Sequence, residues 1–160
     1  MILIKQRFIK FNFTKRNEKP KYIVIHDTDN PGLDAEYHYN YFNSENKNAS
    51  ADFFVDSKQI IQTVDSDVNY SWHCGDGHGK YGITNQNSLG IEICIEKDGN
   101  PTEATLQSTL ELIKFLMKKY NISINNVVRH YDASRKKCPK SFMKNNWCKW
   151  YEFKRTLVLY

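Results

Sequence analysis

Tyr22-Ile23-Val24-Ile25-His26-Asp27-Thr28 is the stretch whose reading settles the architecture. Its unbroken apolar run, Tyr22 to Ile25, suits a short strand covered on both faces rather than one alternating between core and solvent. Asn17-Glu18-Lys19-Pro20 marks a turn before it, and Asp29-Asn30-Pro31-Gly32 a loop after it. His26 therefore closes a buried strand and opens into a loop, the place where sites are usually built. A single histidine at a strand end is still more often structural than ligating, so His26 needs partners.

Working outward, residues 1–20 alternate apolar and basic and read as an extended arm or edge strand. Asp34 is placed to cap a helix running to about Asn43. Asp52 to Val64 reads as two strands around a tight Asp56-Ser57-Lys58 turn, and Tyr70 to Gly79 as a glycine-rich loop. Ser88 to Ile95 is another strand, with Glu92 embedded among aliphatic residues. Pro101-Thr102 opens a helix whose Leu106, Leu110, Ile113 and Met117 share one apolar face. Val127-Val128 is a short strand delivering His130, and an amphipathic helix runs from about Cys148 to the end. This order predicts one α/β domain over residues 1–160, a mixed central sheet flanked by helices on both faces, with one metal site at the sheet's edge. Leu157-Val158-Leu159-Tyr160 ends without a cap or polar tail, which reads as the cut end of a longer natural chain.

The chemistry concentrates in His130-Tyr131-Asp132-Ala133-Ser134-Arg135-Lys136-Lys137-Cys138-Pro139. A turn-rich segment of this length can fold the Cys138 thiolate back toward the His130 imidazole. Together with His26 these residues would give Zn²⁺ three protein ligands and leave one position open for water, the pattern of a catalytic rather than a structural zinc site. Lys136 adds a cation where a negative transition state needs one, although a surface lysine is the plainer reading. Glu92 either points outward from a half-buried strand or faces the reacting water as general base. Its same-face neighbours Gly90 and Cys94 are small, as beside a cavity. His73, after Trp72, is read as a substrate hydrogen-bonding residue or, equally, a structural one. His38 and His78 read as surface residues.

The chain has 160 residues, enough for one domain burying roughly two thirds of its unfolded surface. A net charge of +5 favours a polyanionic partner, which nucleic acid, an anionic membrane and an anionic cell wall satisfy equally. No nucleic-acid recognition motif is present. The four cysteines, Cys74, Cys94, Cys138 and Cys148, form no CxxC pair, and Cys94 reads as an inert core thiol. This pattern points to a reducing compartment during synthesis. Charges come too early in the N-terminal residues for a signal-peptide core, and no segment approaches the roughly 18 apolar residues of a membrane span.

With these residues in place, the sequence resembles the zinc-dependent N-acetylmuramoyl-L-alanine amidases of the type-2 amidase and peptidoglycan-recognition family, especially phage and prophage endolysins. The resemblance runs in family order from about Phe8 to the final helix. His26-Asp27-Thr28 resembles the first ligand motif, and Ala49 to Asp56 the strand after the first long helix. Trp72-His73-Cys74-Gly75 resembles a Trp-His-Ala-Gly loop, Asn87 to Glu92 an Asn-x-x-Gly-Ile-Glu strand, and His130 to Pro139 the closing ligand segment. The resemblance implies zinc ligands His26, His130 and Cys138, Glu92 as general base, Lys136 as oxyanion stabiliser, and bacterial peptidoglycan as substrate. It also implies an endolysin that waits in the host cytoplasm before acting on the wall, with a wall-binding module following the catalytic domain. Two departures stand out: Asp52 occupies a position where many members have histidine, and Ala51 one where some phage enzymes have a catalytic tyrosine. Within the family, a recognition module that binds without cutting and an amidase recycling soluble anhydromuropeptides are the competing readings. Cys138 argues against the first, because such modules can lose that cysteine.

Overall fold

The computed structural model describes residues 3–159; Met1 and Ile2 of the predicted arm and Tyr160 of the final helix lie outside the described residues. Strand β3 (Tyr22–Asp27) pairs in parallel with β7 (Ser88–Ile93) on one side and with β8 (Val127–Arg129) on the other. β4 (Phe53–Val55) continues the parallel set beside β7. The hairpin partner β5 (Ile60–Gln62) and the edge strand β1 (Ile4–Gln6) run the opposite way. The sheet order is β1-β5-β4-β7-β3-β8, and β2 (Phe13–Lys15) forms a separate antiparallel pair with β6 (Asn69–Ser71).

Strand alternation sorts the core. Ile23 and Ile25 of β3, Leu89, Ile91 and Ile93 of β7, and Phe53 and Val55 of β4 face one way. They pack under α2 (Glu103–Tyr120) and α4 (Lys144–Val158) through Leu110, Ile113, Leu116, Trp150 and Phe153. The other face carries Phe54 and Ile61 under α1 (Ala35–Ser44), and Val24 under Cys74, Ile83 and Ala133. Ala133 belongs to α3 (His130–Ser134), so helices cover both faces. His26 and Glu92, lying between residues of the first set, project into this second layer.

The helix ends follow the local chemistry. Asp34 accepts from the Tyr37 amide at 2.8 Å and starts α1. Thr102 accepts from the Thr105 amide at 3.1 Å and starts α2, which stops at Asn121 in the left-handed conformation, φ 56°. Asp56 closes the β4–β5 turn by accepting from the Lys58 and Gln59 amides, at 2.7 and 2.9 Å, and its second oxygen takes the Ala35 amide at 2.9 Å. One carboxylate thus ties the hairpin to the start of α1.

Two expectations are corrected, the loop at 69–71 and the surface place of His38. The arm holds the edge strand β1, as expected, and β2, while Asn69–Ser71, read as loop, is the strand that pairs with β2. A three-residue strand held by backbone pairing leaves too little alternation to read. α4 begins before Cys148, but Asn145, Asn146 and Trp147 have φ of 53°, 53° and 67°, so the regular right-handed helix does begin at Cys148. His38 is not a surface residue: it is 3% exposed and its ring stacks on Phe54 at 5.3 Å between centroids. His78 is exposed, as expected. Among the described residues no helix is long and apolar enough to cross a membrane.

Burial lowers the pKa of His38 to about 4, and its Nε2 has no partner. The unfolded chain therefore takes up a proton from about pH 6.5 downward that the folded protein refuses until about pH 4, so stability falls as pH drops through this window. The loss is expected to approach about 3 kcal/mol. His38→Phe, which keeps a ring against Phe54, should flatten that part of the stability profile in chemical denaturation between pH 7 and 4; an unchanged slope would assign the acid sensitivity elsewhere.

Candidate metal and catalytic site

The carboxyl ends of the parallel strands converge on one point. β3 delivers His26, and in the β3–β7 register His26 stands opposite Glu92. β8 runs directly into α3, whose first residue is His130. The junction is fixed by Asp132, which accepts from the Arg129 amide at 2.8 Å and from its guanidinium at 2.6 and 2.9 Å. Arg135, at φ 72°, ends α3, and the Tyr131 amide donates to the Cys138 carbonyl at 3.0 Å. That bond brings the thiol back toward His130. The site thus lies at the carboxyl ends of β3, β7 and the edge strand β8.

Donor atoms of His26, His130 and Cys138 all lie within 4.8 Å of one another, and the three residues are buried. Cys138 Sγ is 3.8 Å from His26 Nδ1, and the two imidazoles are 4.6 Å apart. Buried His130 Nδ1 has no hydrogen-bond partner. Burial first, and then the nearness of two further imidazoles, His130 and His73, pushes the His26 pKa well down, and burial also lowers that of His130 against the pull of Asp76. Both shifts favour the neutral ring, the state a ligand requires. Burial and then Glu92 push the Cys138 thiol up, so a thiolate forms here only against a compensating cation. An unpartnered imidazole nitrogen, a second neutral imidazole and such a thiol fit a zinc-type ion.

Glu92 Oε1 is 3.9 Å from His26 Nδ1, and its buried Oε2 has no partner. Burial first, then Asp27, raise its pKa well above the ordinary carboxylate range, while Lys136 works the other way. A carboxyl so placed suits proton transfer. Exposed Lys136 lines the same cavity, which holds about 200 Å³ and includes Trp72 in its wall. A larger groove of about 460 Å³ around Arg16 and Lys119 brings no His–Cys donor set with it.

His73 also borders the cavity, but neither ring nitrogen is free: Nδ1 is 3.0 Å from His26 Nε2, and Nε2 is 3.0 Å from Ser88 Oγ. Trp72 turns its Nε1–H to Thr14 at 2.9 Å, leaving the indole body as wall. The small size of Gly90 has a different cause from the one expected. A Cβ there would stand 2.5 Å from His73 Cγ, so the space beside Glu92 is filled by that ring.

Sequence reasoning missed Asp76, whose Oδ1 is 2.7 Å from His130 Nε2; only its place between Gly75 and Gly77 marked it. It also missed the anchoring role of Asp52, which does not reach the cavity. Asp52 is fully buried and accepts from Ser66, Ser71 and the Gly90 amide, at 2.9, 2.6 and 2.8 Å. It thereby fastens β7 to β6 and to the segment before it.

Three possible metal donors beside a carboxyl group with an unpartnered oxygen, at the strand ends of an α/β sheet, are the kind of set that metal-dependent hydrolases use. Residues 16–141 match the family described as N-acetylmuramoyl-L-alanine amidase, and the chain belongs to it. It is 38% identical over 152 residues to N-acetylmuramoyl-L-alanine amidase CwlH of Bacillus subtilis, covering 92% of this chain and 59% of that one. With XlyA of Bacillus subtilis it shares 39% identity over 137 residues, 84% of this chain and 43% of that one. The chain thus spans about half the length of the curated relatives it matches. A mutant endolysin from Bacillus subtilis superposes with a TM-score of 0.84 at 36% identity, over 98% of this chain and 99% of that one.

Asp52→Ala strands the Ser71 hydroxyl and the Gly90 amide and leaves Ser66 only its 3.3 Å bond to the Val64 carbonyl, and each unsatisfied group costs about 1–3 kcal/mol. The variant should lose about 3 kcal/mol or more in urea unfolding. A loss below about 1 kcal/mol would show that water replaces the carboxylate.

Proposed function

We propose that this chain hydrolyses the amide bond between N-acetylmuramic acid and L-alanine in bacterial peptidoglycan, with Zn²⁺ held by His26, His130 and Cys138. One observation carries the reading: three buried donor atoms within 4.8 Å of one another stand beside a carboxylate oxygen with no partner. Family membership and the names of the relatives support the substrate.

An amide resists hydrolysis because neutral water attacks poorly and the amine leaves poorly. Zinc, when bound, supplies Lewis acidity and lowers the pKa of water from 15.7 toward 7. Glu92, its pKa raised by burial, takes the proton of the attacking water and returns it to the departing amine. Lys136, on the ligand segment, offers its ammonium to the oxyanion that forms at the lactyl carbonyl. Trp72 and Phe42 form an apolar wall for the sugar and peptide. The products are a glycan strand and a stem peptide with a free L-alanine amino group, and cutting these links weakens the wall. The net charge of +5 favours an anionic wall. In this reading the 160 residues are the catalytic domain of a phage or prophage endolysin, held in the host cytoplasm until release.

Purified Gram-positive walls should lose turbidity with the protein, stop with chelator and resume with Zn²⁺. Cys138→Ser should lose zinc on dialysis, because a hydroxyl is a far poorer ligand than thiolate at neutral pH. Glu92→Gln should keep zinc and lose about a hundred- to ten-thousand-fold in amine release from a muramoyl-peptide. Wall binding without amine release by the zinc-loaded chain would instead support a recognition module.

A further inference from the structure

The outer sides of the two ligand imidazoles meet one loop, residues 72–77. The protons along it can be placed from its far end. The Ser88 hydroxyl has one proton and donates it to the Thr84 carbonyl, so its oxygen accepts from His73 Nε2, 3.0 Å away. Cys74 Sγ, at 3.9 Å from that nitrogen, is a weak competitor. A neutral imidazole carries one N–H, which leaves His73 Nδ1 bare to accept from His26 Nε2–H at 3.0 Å. His26 then keeps its lone pair on Nδ1, the nitrogen facing Cys138 at 3.8 Å and Glu92 at 3.9 Å.

His130 arrives at the same tautomer by another route. Its Nε2 lies 2.7 Å from Asp76 Oδ1, and a carboxylate only accepts. The proton is therefore on Nε2, and buried, unpartnered Nδ1 holds the lone pair. Ser134 Oγ holds the second oxygen of Asp76 at 3.1 Å.

The loop is fitted to both rings. Asn85 Oδ1 accepts from the His73 and Cys74 amides at 2.9 and 2.7 Å, and Gly90 leaves the sheet bare where the His73 ring lies. A Cβ on Gly77 would stand 2.1 Å from the Ala133 carbonyl oxygen, so the turn carrying Asp76 is pressed against the helix that begins at His130. We propose that His73 and Asp76 are positioning residues of the metal site: they fix His26 and His130 as Nε2–H tautomers and aim both Nδ1 lone pairs at one ion. This rests on the zinc assignment above and extends it to a loop that touches neither zinc nor the reacting atoms.

Long-range ¹H–¹⁵N spectra of the 160-residue chain, zinc-free and zinc-loaded, read the tautomers, and chelator competition reads zinc affinity. His26, His73 and His130 should all carry their proton on Nε2. His73→Leu and Asp76→Ala should weaken zinc binding roughly 10- to 100-fold, while His73→Asn and Asp76→Asn, which keep an acceptor oxygen in place, recover most of it. A proton on His73 Nδ1 would overturn the proposal. So would asparagine variants as weak as the apolar ones, since packing alone would then explain the loss. A wild-type chain that binds no zinc sinks the zinc assignment instead, and the tautomers of the zinc-free chain still decide the loop's hydrogen bonds.

Discussion

The parallel pairing of β3 with β7 is the constraint on which the rest depends. Its register sets His26 opposite Glu92 and leaves Ile23, Ile25, Ile91 and Ile93 on the other face. Because side chains alternate, a slip of one residue by either strand would send its polar residue into the core under α2 and α4. Burial of those isoleucines therefore enforces the catalytic geometry. The aliphatic face does not touch the site, yet it determines which residues can.

The polar layer is stable for a different reason. Taking charges out of water is costly, and this cluster avoids the cost by staying neutral. Burial depresses the imidazole pKa values and raises those of Glu92 and Cys138. A divalent cation reverses the balance, because it stabilises a thiolate and draws on imidazole lone pairs already bare. Lys136 stands exposed at the rim of this pocket.

Sequence made the donor set legible because its chemistry is local: a histidine closing an apolar run, a histidine and a cysteine flanking a turn, a carboxylate inside a strand. The mixed sheet, the three long helices and the Asp34 cap followed from the same patterns. What stayed hidden was long-range. Nothing near His38 says that α1 will lay that residue on Phe54. Gly90 looked like the floor of a cavity because the ring that fills it comes from residue 73, and the role of Asp76 depends on α3, more than fifty residues later. Asp52 stood out only as a departure from the family pattern for a similar reason: its donors, at residues 66, 71 and 90, are brought together only by the fold.

Those hidden contacts share a logic. Gly90 admits the His73 ring at the sheet and Gly77 admits the Asp76 turn at α3, so two absent side chains set how closely one loop approaches two different elements. Asp52 holds the Gly90 amide from the same strand position and Ser71 from the start of that loop. A carboxylate in place of histidine there exchanges a side chain able to donate for one that only accepts, and every neighbour it meets is a donor. The carboxylate at position 52 therefore reinforces the scaffold behind the candidate donor set.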